Sequence, residues 1–101
     1  MAWRERALAR AGQEFELAAV EIYSSMMCGF CHRAKQLLSH KGVDFVEIPV
    51  DMDVEVRATM RRRSGGVNSV PQIFVDGDHI GGCNELFMLE EKGALDALLA
   101  G

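Results

Sequence analysis

The order of apolar and polar residues changes its period several times along this chain, and each change predicts the start of a strand or a helix. Residues 18–23 form a short apolar run that ends at a polar pair, which predicts a strand. From Cys31 to Leu38, apolar residues recur at helical spacing, and Gly42 is expected to end this helix. Residues 43–50, with apolar side chains on both faces, predict a second strand. A strand, a helix and a strand at this spacing form a right-handed βαβ unit, so the two strands should be parallel.

The second half of the chain adds a helix, a hairpin and two more helices. Asp76-Gly77 is a two-residue hairpin signal between two short extended segments. The predicted elements are a helix from Asp51 or Asp53 to about Arg63, a strand over 70–75, a return strand over 78–80, a helix capped by Asn84 and a short helix over 94–100. The arginines of the first of these helices are expected to face solvent: Arg57, Arg61, Arg62 and Arg63. One α/β fold follows, with a four-stranded mixed sheet and helices on both faces.

The N-terminal segment, residues 1–15, is predicted to be separate from the domain formed by residues 16–101. It is rich in Ala, Arg, Glu and Leu, which are good helix formers, so we expect a surface helix or a frayed leader. An arginine-rich transit peptide is the alternative, and Glu5 and the absence of serine count against it.

The composition argues against several classes of protein. The chain has 101 residues, a formal net charge of −4 and no long apolar run, which argues against a general nucleic-acid binder, an anionic-membrane binder and a transmembrane protein. Its cysteines are odd in number and have no disulfide framework, which suits a reducing compartment. We therefore expect a cytoplasmic protein with neither nucleic acid nor membrane as a partner.

Two of the cysteines, Cys28 and Cys31, lie where the first strand turns into the first helix. The first turn of a helix has unpaired N–H groups and a partial positive charge, which stabilise a thiolate over a thiol. Cys28 is therefore the expected nucleophile, and Cys31 can form or resolve a disulfide with it. A structural zinc site would need a second ligand pair, and Cys83 and the histidines lack that spacing. A structural disulfide is disfavoured because so short a loop constrains the unfolded chain little.

Two further motifs each allow two interpretations. The proline of Val70-Pro71 either simply opens a strand or forms a cis bond, which would leave the backbone of Val70 able to pair with an extended peptide. In Gly81-Gly82-Cys83-Asn84, the glycines and the following helix N-terminus either approach a ligand carboxylate or form a plain turn beside a buried cysteine.

In this order and spacing, the three motifs resemble the glutaredoxin family, which has a thioredoxin-like fold. The resemblance runs from about residue 19 to residue 99, and these segments carry it: Glu21-Ile22-Tyr23, Cys28-Gly29-Phe30-Cys31-His32-Arg33-Ala34-Lys35, Val70-Pro71-Gln72-Ile73-Phe74-Val75 and His79-Ile80-Gly81-Gly82-Cys83. Glutaredoxins reduce disulfides, especially mixed disulfides between glutathione and protein thiols, with glutathione as the reductant. The resemblance therefore implies a glutathione-dependent oxidoreductase whose partners are glutathione and glutathionylated or disulfide-containing proteins.

The resemblance also implies which residues would act. Cys28 would be the nucleophile and Cys31 the resolving thiol. The residues implied to bind glutathione are Phe30, Arg62, Val70, Pro71, Gly82, Cys83 and Asn84. Phe30 would lie beside the glutathione cysteine, and Val70, ahead of a cis proline, would pair its backbone with that cysteine. The Cys83 N–H and the position of Asn84 would hold the γ-glutamyl carboxylate, and Arg62 would meet the glycyl carboxylate.

The chain departs from the family pattern in three places. The family usually has a lysine near Ser25, where it lowers the pKa of the nucleophilic thiol and contacts glutathione, and this chain lacks it. Asn84 stands where the family usually has aspartate. The loop from Gly65 to Ser69 is one residue longer than in similar dithiol relatives. These departures predict reduced activation of Cys28 and weaken the assignment of Arg62.

The motif Cys28-Gly29-Phe30-Cys31 supports a second hypothesis. Cys-Gly-Phe-Ser marks the single-cysteine glutaredoxins that carry iron–sulfur clusters, and this chain combines its Gly-Phe with a second cysteine. The main hypothesis needs no metal, and the protein would act as a monomer. In the alternative, a homodimer would hold a [2Fe–2S] cluster through Cys28 of each copy and two glutathione thiols. Disulfide exchange is favoured because Cys31 supplies the resolving step.

Overall fold

The structure, a computed structural model, describes residues 18–101, and the helix or leader predicted over residues 1–15 lies outside this range. The elements, in chain order, are β1 (Val20–Ser24), α1 (Gly29–His40), β2 (Phe45–Pro49), α2 (Val54–Arg63), β3 (Gln72–Val75), β4 (Asp78–Gly81), α3 (Cys83–Glu91) and α4 (Leu95–Leu99). Each element predicted within the described residues is present. None of the helices described here is long and apolar enough to cross a bilayer.

The four strands form one mixed sheet in the order β2-β1-β3-β4. β1 pairs with β2 in parallel, as the βαβ pattern predicts, and with β3 in antiparallel register, so that Ile22 lies opposite Ile73. β3 and β4 form the predicted hairpin. Its turn residues, Asp76 and Gly77, have φ angles of 52° and 84°, the left-handed conformations that a tight two-residue turn requires. The prediction of a four-stranded mixed sheet is confirmed.

Alternate side chains of the central strands face opposite layers of helices, because successive strand residues point to opposite faces. On one face, Ile22 and Ile73 belong to a core with residues of α1, α3 and α4. On the other face, Tyr23 and Phe74 pack with Met60 of α2. The predicted arrangement of helices on both faces is therefore confirmed. It also brings the N-termini of α1 and α3 to the same part of the molecule as the segment before β3.

Helix capping differs in part from the prediction. Asp53 is the N-cap of α2, and its Oδ1 accepts from the backbone N–H groups of Glu55 and Val56 at 3.1 and 3.2 Å. Asn84 does not cap α3, which was predicted wrongly: Gly82 is the N-cap and Asn84 lies inside the first turn. The reason is that Glu85 reaches back and accepts the Gly82 N–H at 2.7 Å.

Candidate active site

The thiol of Cys28 lies at the N-cap of α1. Its backbone is extended, with φ −112° and ψ 111°, so its side chain folds back over the first turn of the helix. There Sγ accepts a hydrogen bond from the backbone N–H of Cys31 at 3.1 Å. The sulfur is half-buried and thus open to solvent on one side. An N–H group in the first turn of a helix that is directed at a sulfur favours the thiolate, which is the nucleophilic form of cysteine.

The second thiol, Cys31, has the opposite environment. It is only 1% exposed. Burial, together with a hydrogen bond to the Cys28 side chain, raises the pKa of the Cys31 thiol to about 12. Both cysteines are free thiols in the structure. The pair therefore combines an accessible sulfur, held by a helix N-terminus, with a protonated thiol one turn below it.

The segment before β3 faces Cys28. The Val70–Pro71 peptide bond is cis, as the second of the two interpretations of this motif requires. The carbonyl oxygen of Val70 lies 3.8 Å from Cys28 Sγ, although the two residues are 42 positions apart in the sequence. Pro71 is buried, whereas Val70 is partly exposed. The backbone of Val70 is thus placed beside the candidate nucleophile.

An open groove of about 580 Å³ runs along this segment. Six of the residues singled out by the family resemblance line it: Phe30, Val70, Pro71, Gly82, Cys83 and Asn84. They come from the first turn of α1, the segment before β3 and the start of α3. The fold therefore brings together three motifs that the sequence separates by tens of residues, next to the sulfur of Cys28.

Close packing at the end of the groove depends on Gly82. A Cβ atom at this position would lie 3.1 Å from the carbonyl oxygen of Pro71, which is closer than ordinary contacts allow. The absence of a side chain thus lets the N-terminus of α3 approach the cis-proline segment. Cys83 is buried behind it, and burial raises the pKa of its thiol, which keeps that thiol protonated. Toward the groove, Cys83 can therefore act through its backbone N–H.

Two groove residues, Gln72 and His79, were not identified from the sequence. Gln72 is 4% exposed, and its Nε2 donates to the carbonyl oxygen of Ser69 at 3.0 Å. Its Oε1 lies 2.6 Å from His79 Nε2, which donates in this contact because an amide oxygen can only accept. The His79 ring also packs against Phe74, with ring centroids 5.0 Å apart. A polar residue inside the otherwise apolar strand β3 was the signal that could have revealed this pair.

Two of the arginines of α2, Arg61 and Arg62, are exposed, as the predicted solvated face requires, whereas Arg57 and Arg63 are only partly exposed. Arg57 donates to the Asn68 carbonyl at 2.6 Å, and Arg61 to the Asn68 side chain at 3.2 Å. Arg63 forms an ion pair with Glu21 at 2.8 Å, which raises the pKa of its guanidinium. Arg62 donates to a threonine of its own helix at 3.0 Å and does not line the groove. The structure therefore does not bring Arg62 to the other predicted site residues.

Asp51 lies near Ser25, the position where the family pattern has a lysine. Ser25 Oγ donates to one carboxylate oxygen at 2.7 Å, and the Met26 N–H donates to the other at 2.9 Å. These two bonds lower the pKa of Asp51, so the carboxylate is ionised at neutral pH. Asp51 therefore fixes the loop before Cys28, and of the two residues predicted as possible caps of α2, Asp53 is the one that caps it.

Thiol chemistry is the chemistry that this site can perform. Among residues 18–101, no group of three or more His, Cys, Asp and Glu side chains could hold a metal ion. A thioredoxin-like sheet that presents one accessible and one buried cysteine at a helix N-terminus defines a thiol–disulfide oxidoreductase. The protein belongs to this class. The glutaredoxin family model matches residues 20–80, and the chain belongs to the glutaredoxin family.

Individual relatives agree with this assignment. Glutaredoxin 3 of Escherichia coli strain K12 is 53% identical over 83 residues, which cover 82% of this chain and 99% of that protein. The solution structure of glutaredoxin from Brucella melitensis is 46% identical, with a TM-score of 0.73, and covers 83% of this chain and 90% of its own.

Two plant structures match almost the whole chain. The buckwheat glutaredoxin–glutathione complex is 28% identical, with a TM-score of 0.75, over 97% of this chain and 91% of that one. The holo form of glutaredoxin C1 from Populus tremula x tremuloides is 28% identical, with a TM-score of 0.74, over 98% and 91%.

Proposed function

We propose that this glutaredoxin uses glutathione to reduce mixed disulfides between glutathione and protein thiols, and also protein disulfides. The observation that carries the proposal is the position of Cys28 Sγ, which accepts the Cys31 N–H and lies 3.8 Å from the Val70 carbonyl oxygen beside the groove. A buckwheat relative has been solved in complex with glutathione, which supports the choice of this tripeptide as the ligand.

The proposed reaction has two displacement steps. In the first, the Cys28 thiolate attacks the glutathione sulfur of a mixed disulfide, which forms a Cys28–glutathione disulfide and releases the protein thiolate, which takes up a proton. In the second, the thiolate of another glutathione attacks that glutathione sulfur. Oxidised glutathione leaves, and Cys28 returns to its thiolate form.

Cys31 is proposed to act when the substrate is a protein disulfide. Attack by Cys28 then releases one substrate sulfur as a thiolate and leaves the other joined to Cys28; the Cys31 thiolate attacks Cys28 Sγ, releases the second substrate thiolate and closes a Cys28–Cys31 disulfide. Both released thiolates take up protons, and two molecules of glutathione reduce the Cys28–Cys31 disulfide and leave as oxidised glutathione. Burial is the main reason for the high pKa of Cys31, so few of these thiols are ionised at neutral pH. Its hydrogen bond to the Cys28 side chain also raises this pKa, and that contribution changes once Cys28 is in a disulfide. Release of the substrate by Cys31 is therefore expected to be slower than release by a second glutathione.

The groove is proposed to hold glutathione in an extended conformation. Phe30 would pack beside its cysteine, while the Val70 backbone next to Pro71 would pair with that residue. The γ-glutamyl carboxylate would accept from backbone N–H groups at the start of α3, at Cys83 and Asn84. The residues proposed to hold this half of glutathione are Gly82, Cys83 and Asn84, which line the groove.

The cation for the glycyl carboxylate is proposed to be Arg57 or Arg61 and not Arg62. Both Arg57 and Arg61 contact Asn68, whose neighbours in the sequence, Val67 and Ser69, line the groove. Arg62 points along its own helix. A guanidinium is suited to this role because its N–H groups match a carboxylate in geometry and charge.

A coupled assay with the mixed disulfide of cysteine and glutathione tests the proposal. The parent protein should turn this substrate over, and Cys28→Ser should abolish turnover. Cys31→Ser should keep it, because a second glutathione can still release Cys28, yet the same variant should lose reduction of a protein disulfide. Absence of turnover by the parent protein would discard the proposed enzyme activity.

A second proposed function is carriage of a [2Fe–2S] cluster between two copies of the chain. A Cβ atom at Gly29 would have nothing within 4 Å, so the surface next to Cys28 is open to a second copy. A poplar relative has been solved in a holo form, and residues 18–101 offer no metal site within one copy. Cys28 of each copy and two glutathione thiols would supply the four sulfurs. Anaerobic reconstitution should then give a coloured dimer that needs glutathione; a colourless monomer would contradict this function.

The proposed state is a monomer during disulfide exchange and a homodimer when a cluster is bound. The three cysteines of the described region are free thiols, which fits a reducing compartment such as the cytoplasm. Fractionation of the source cells, with detection of the protein in each fraction, tests this compartment.

A further inference from the structure

Three exposed methionines lie next to the candidate nucleophile. Met26, Met27 and Met52 are 84%, 91% and 100% exposed, and we call these three residues the methionine patch. Met26 and Met27 immediately precede Cys28 in the sequence. The carboxylate of Asp51 binds the Met26 N–H and the Ser25 hydroxyl, and this contact brings the turn that contains Met52 against the turn that contains Met26.

The backbone at Met52 suggests that this side chain has a role. Met52 has a φ angle of 62°, in the left-handed region that glycine or asparagine adopts more readily than methionine. Its side chain has no packing role that would compensate, because it is fully exposed. An exposed apolar side chain in an unfavourable conformation is typical of a functional position.

The methionine patch lies outside the groove that is proposed to hold glutathione, and two of its members directly precede Cys28 in the chain. None of the three methionines lines the groove. If glutathione fills the groove, a polypeptide joined to it by a disulfide must lie over the remaining surface next to Cys28. Methionine suits such a contact, because its flexible and polarizable thioether adapts to different apolar partners.

Charge restricts the sequences that the patch can accept. Residues 24–30 carry no charged side chain, while Asp51 and Asp53 stand on either side of Met52. Arg57 offsets part of the charge of Asp51, but residues 50–56 hold three carboxylates and no cation. A polypeptide with acidic residues beside its cysteine would therefore be repelled, and one with apolar neighbours would be accepted.

We propose that the methionine patch selects protein substrates whose glutathionylated cysteine has long apolar neighbours and no acidic ones. This inference rests on the proposed function and names its substrate class. The reaction is the first displacement described above: the peptide thiolate leaves, takes up a proton, and its flanking residues dissociate from the patch.

The test compares three substrates: two glutathionylated peptides that differ only in having leucine or glutamate on both sides of the cysteine, and the cysteine–glutathione disulfide. For the parent protein, kcat/KM should be about tenfold higher for the leucine peptide than for the glutamate peptide, as expected from burial of a few apolar side chains. The variant with Met26→Ser, Met27→Ser and Met52→Ser should lose most of this preference and keep its rate on the cysteine–glutathione disulfide. Met88→Ser, which alters an exposed methionine of α3 outside the patch, is the matched control.

The outcomes separate this inference from the proposed function. No turnover of the cysteine–glutathione disulfide by the parent protein would refute the proposed function itself. Turnover of that disulfide with equal rates on both peptides, or an unchanged preference in the triple variant, would refute only the role of the patch. If the patch instead joins two copies, sedimentation will show a parent dimer and a monomeric triple variant without any peptide preference, which also overturns the inference.

Discussion

Replacement of Gln72 by methionine tests the hydrogen-bond network behind the groove. Methionine has a similar volume and shape, so the change removes the amide with little loss of packing. Two hydrogen bonds disappear, one to the Ser69 carbonyl at 3.0 Å and one to His79 Nε2 at 2.6 Å. The first bond links Ser69, in the groove-lining segment before β3, to strand β3. The second bond links strand β3 to His79 of strand β4.

The expected cost follows from where the lost partners lie. Each hydrogen bond contributes about 0.5–1.5 kcal/mol, and a buried partner left unsatisfied costs more. Ser69 and His79 are both exposed residues, so water can replace the amide at each. We therefore expect Gln72→Met to lower the free energy of unfolding by about 1–2 kcal/mol, the lower part of the range for two bonds. This corresponds to a decrease in Tm of several degrees for a domain of this size.

The kinetic constants should change together with the stability, because Ser69 directly precedes Val70, whose carbonyl oxygen lies beside Cys28. A looser Ser69 segment would shift the Val70 carbonyl relative to Cys28, so KM for the cysteine–glutathione disulfide should rise several-fold, with a smaller change in kcat. Urea denaturation and steady-state kinetics measure the two effects. His79→Ala and the double variant complete a double-mutant cycle. A loss of stability below about 0.3 kcal/mol with unchanged KM, or strict additivity of the two changes, would refute the network.

Three further changes probe the rest of the site. Gly82→Ala should raise KM for glutathione and lower the Tm, because its methyl group would lie 3.1 Å from the Pro71 carbonyl oxygen. Gly29→Ala adds the same group in open space and should not destabilise the fold. Equal shifts in Tm for the two variants would contradict this expectation. The lowered pKa of Asp51 contributes stability that is fully present above pH about 4 and is lost as the pH falls through the lowered folded-state pKa. The advantage of the parent over Asp51→Asn should therefore stay constant from pH 7 to about pH 4 and shrink below it, and a difference in urea midpoint that stays constant in acid would count against this. Arg57→Ala should raise KM for glutathione more than Arg62→Ala, and the reverse order in steady-state kinetics would restore Arg62 to the site.

The sequence determined those features that depend on neighbours along the chain. Hydrophobic period, the Asp76-Gly77 turn and a cap at Asp51 or Asp53 act over a few residues, and the order of elements and the mixed sheet follow from them. The family resemblance rests on three short motifs, which are local in the same sense. The placement of Cys28 at a helix N-terminus is local in the same way. Because these signals do not depend on how distant segments meet, they could be interpreted before the fold was known.

Only the tertiary structure decided which polar groups of distant segments meet. Gln72 with His79, Asp51 with Ser25, and Arg57 with Asn68 are each joined by hydrogen bonds between separate segments. The helix prediction gave four arginines on α2 but not their partners. Arg57 and Arg61 bind Asn68, so their partner depends on the path of the Gly65–Ser69 loop, whereas Arg63 binds Glu21 of β1. A side-chain hydrogen bond requires an accuracy of a few tenths of an ångström. Such accuracy comes from packing of the whole domain, which is why the periodicity of the sequence predicted the elements but not these contacts.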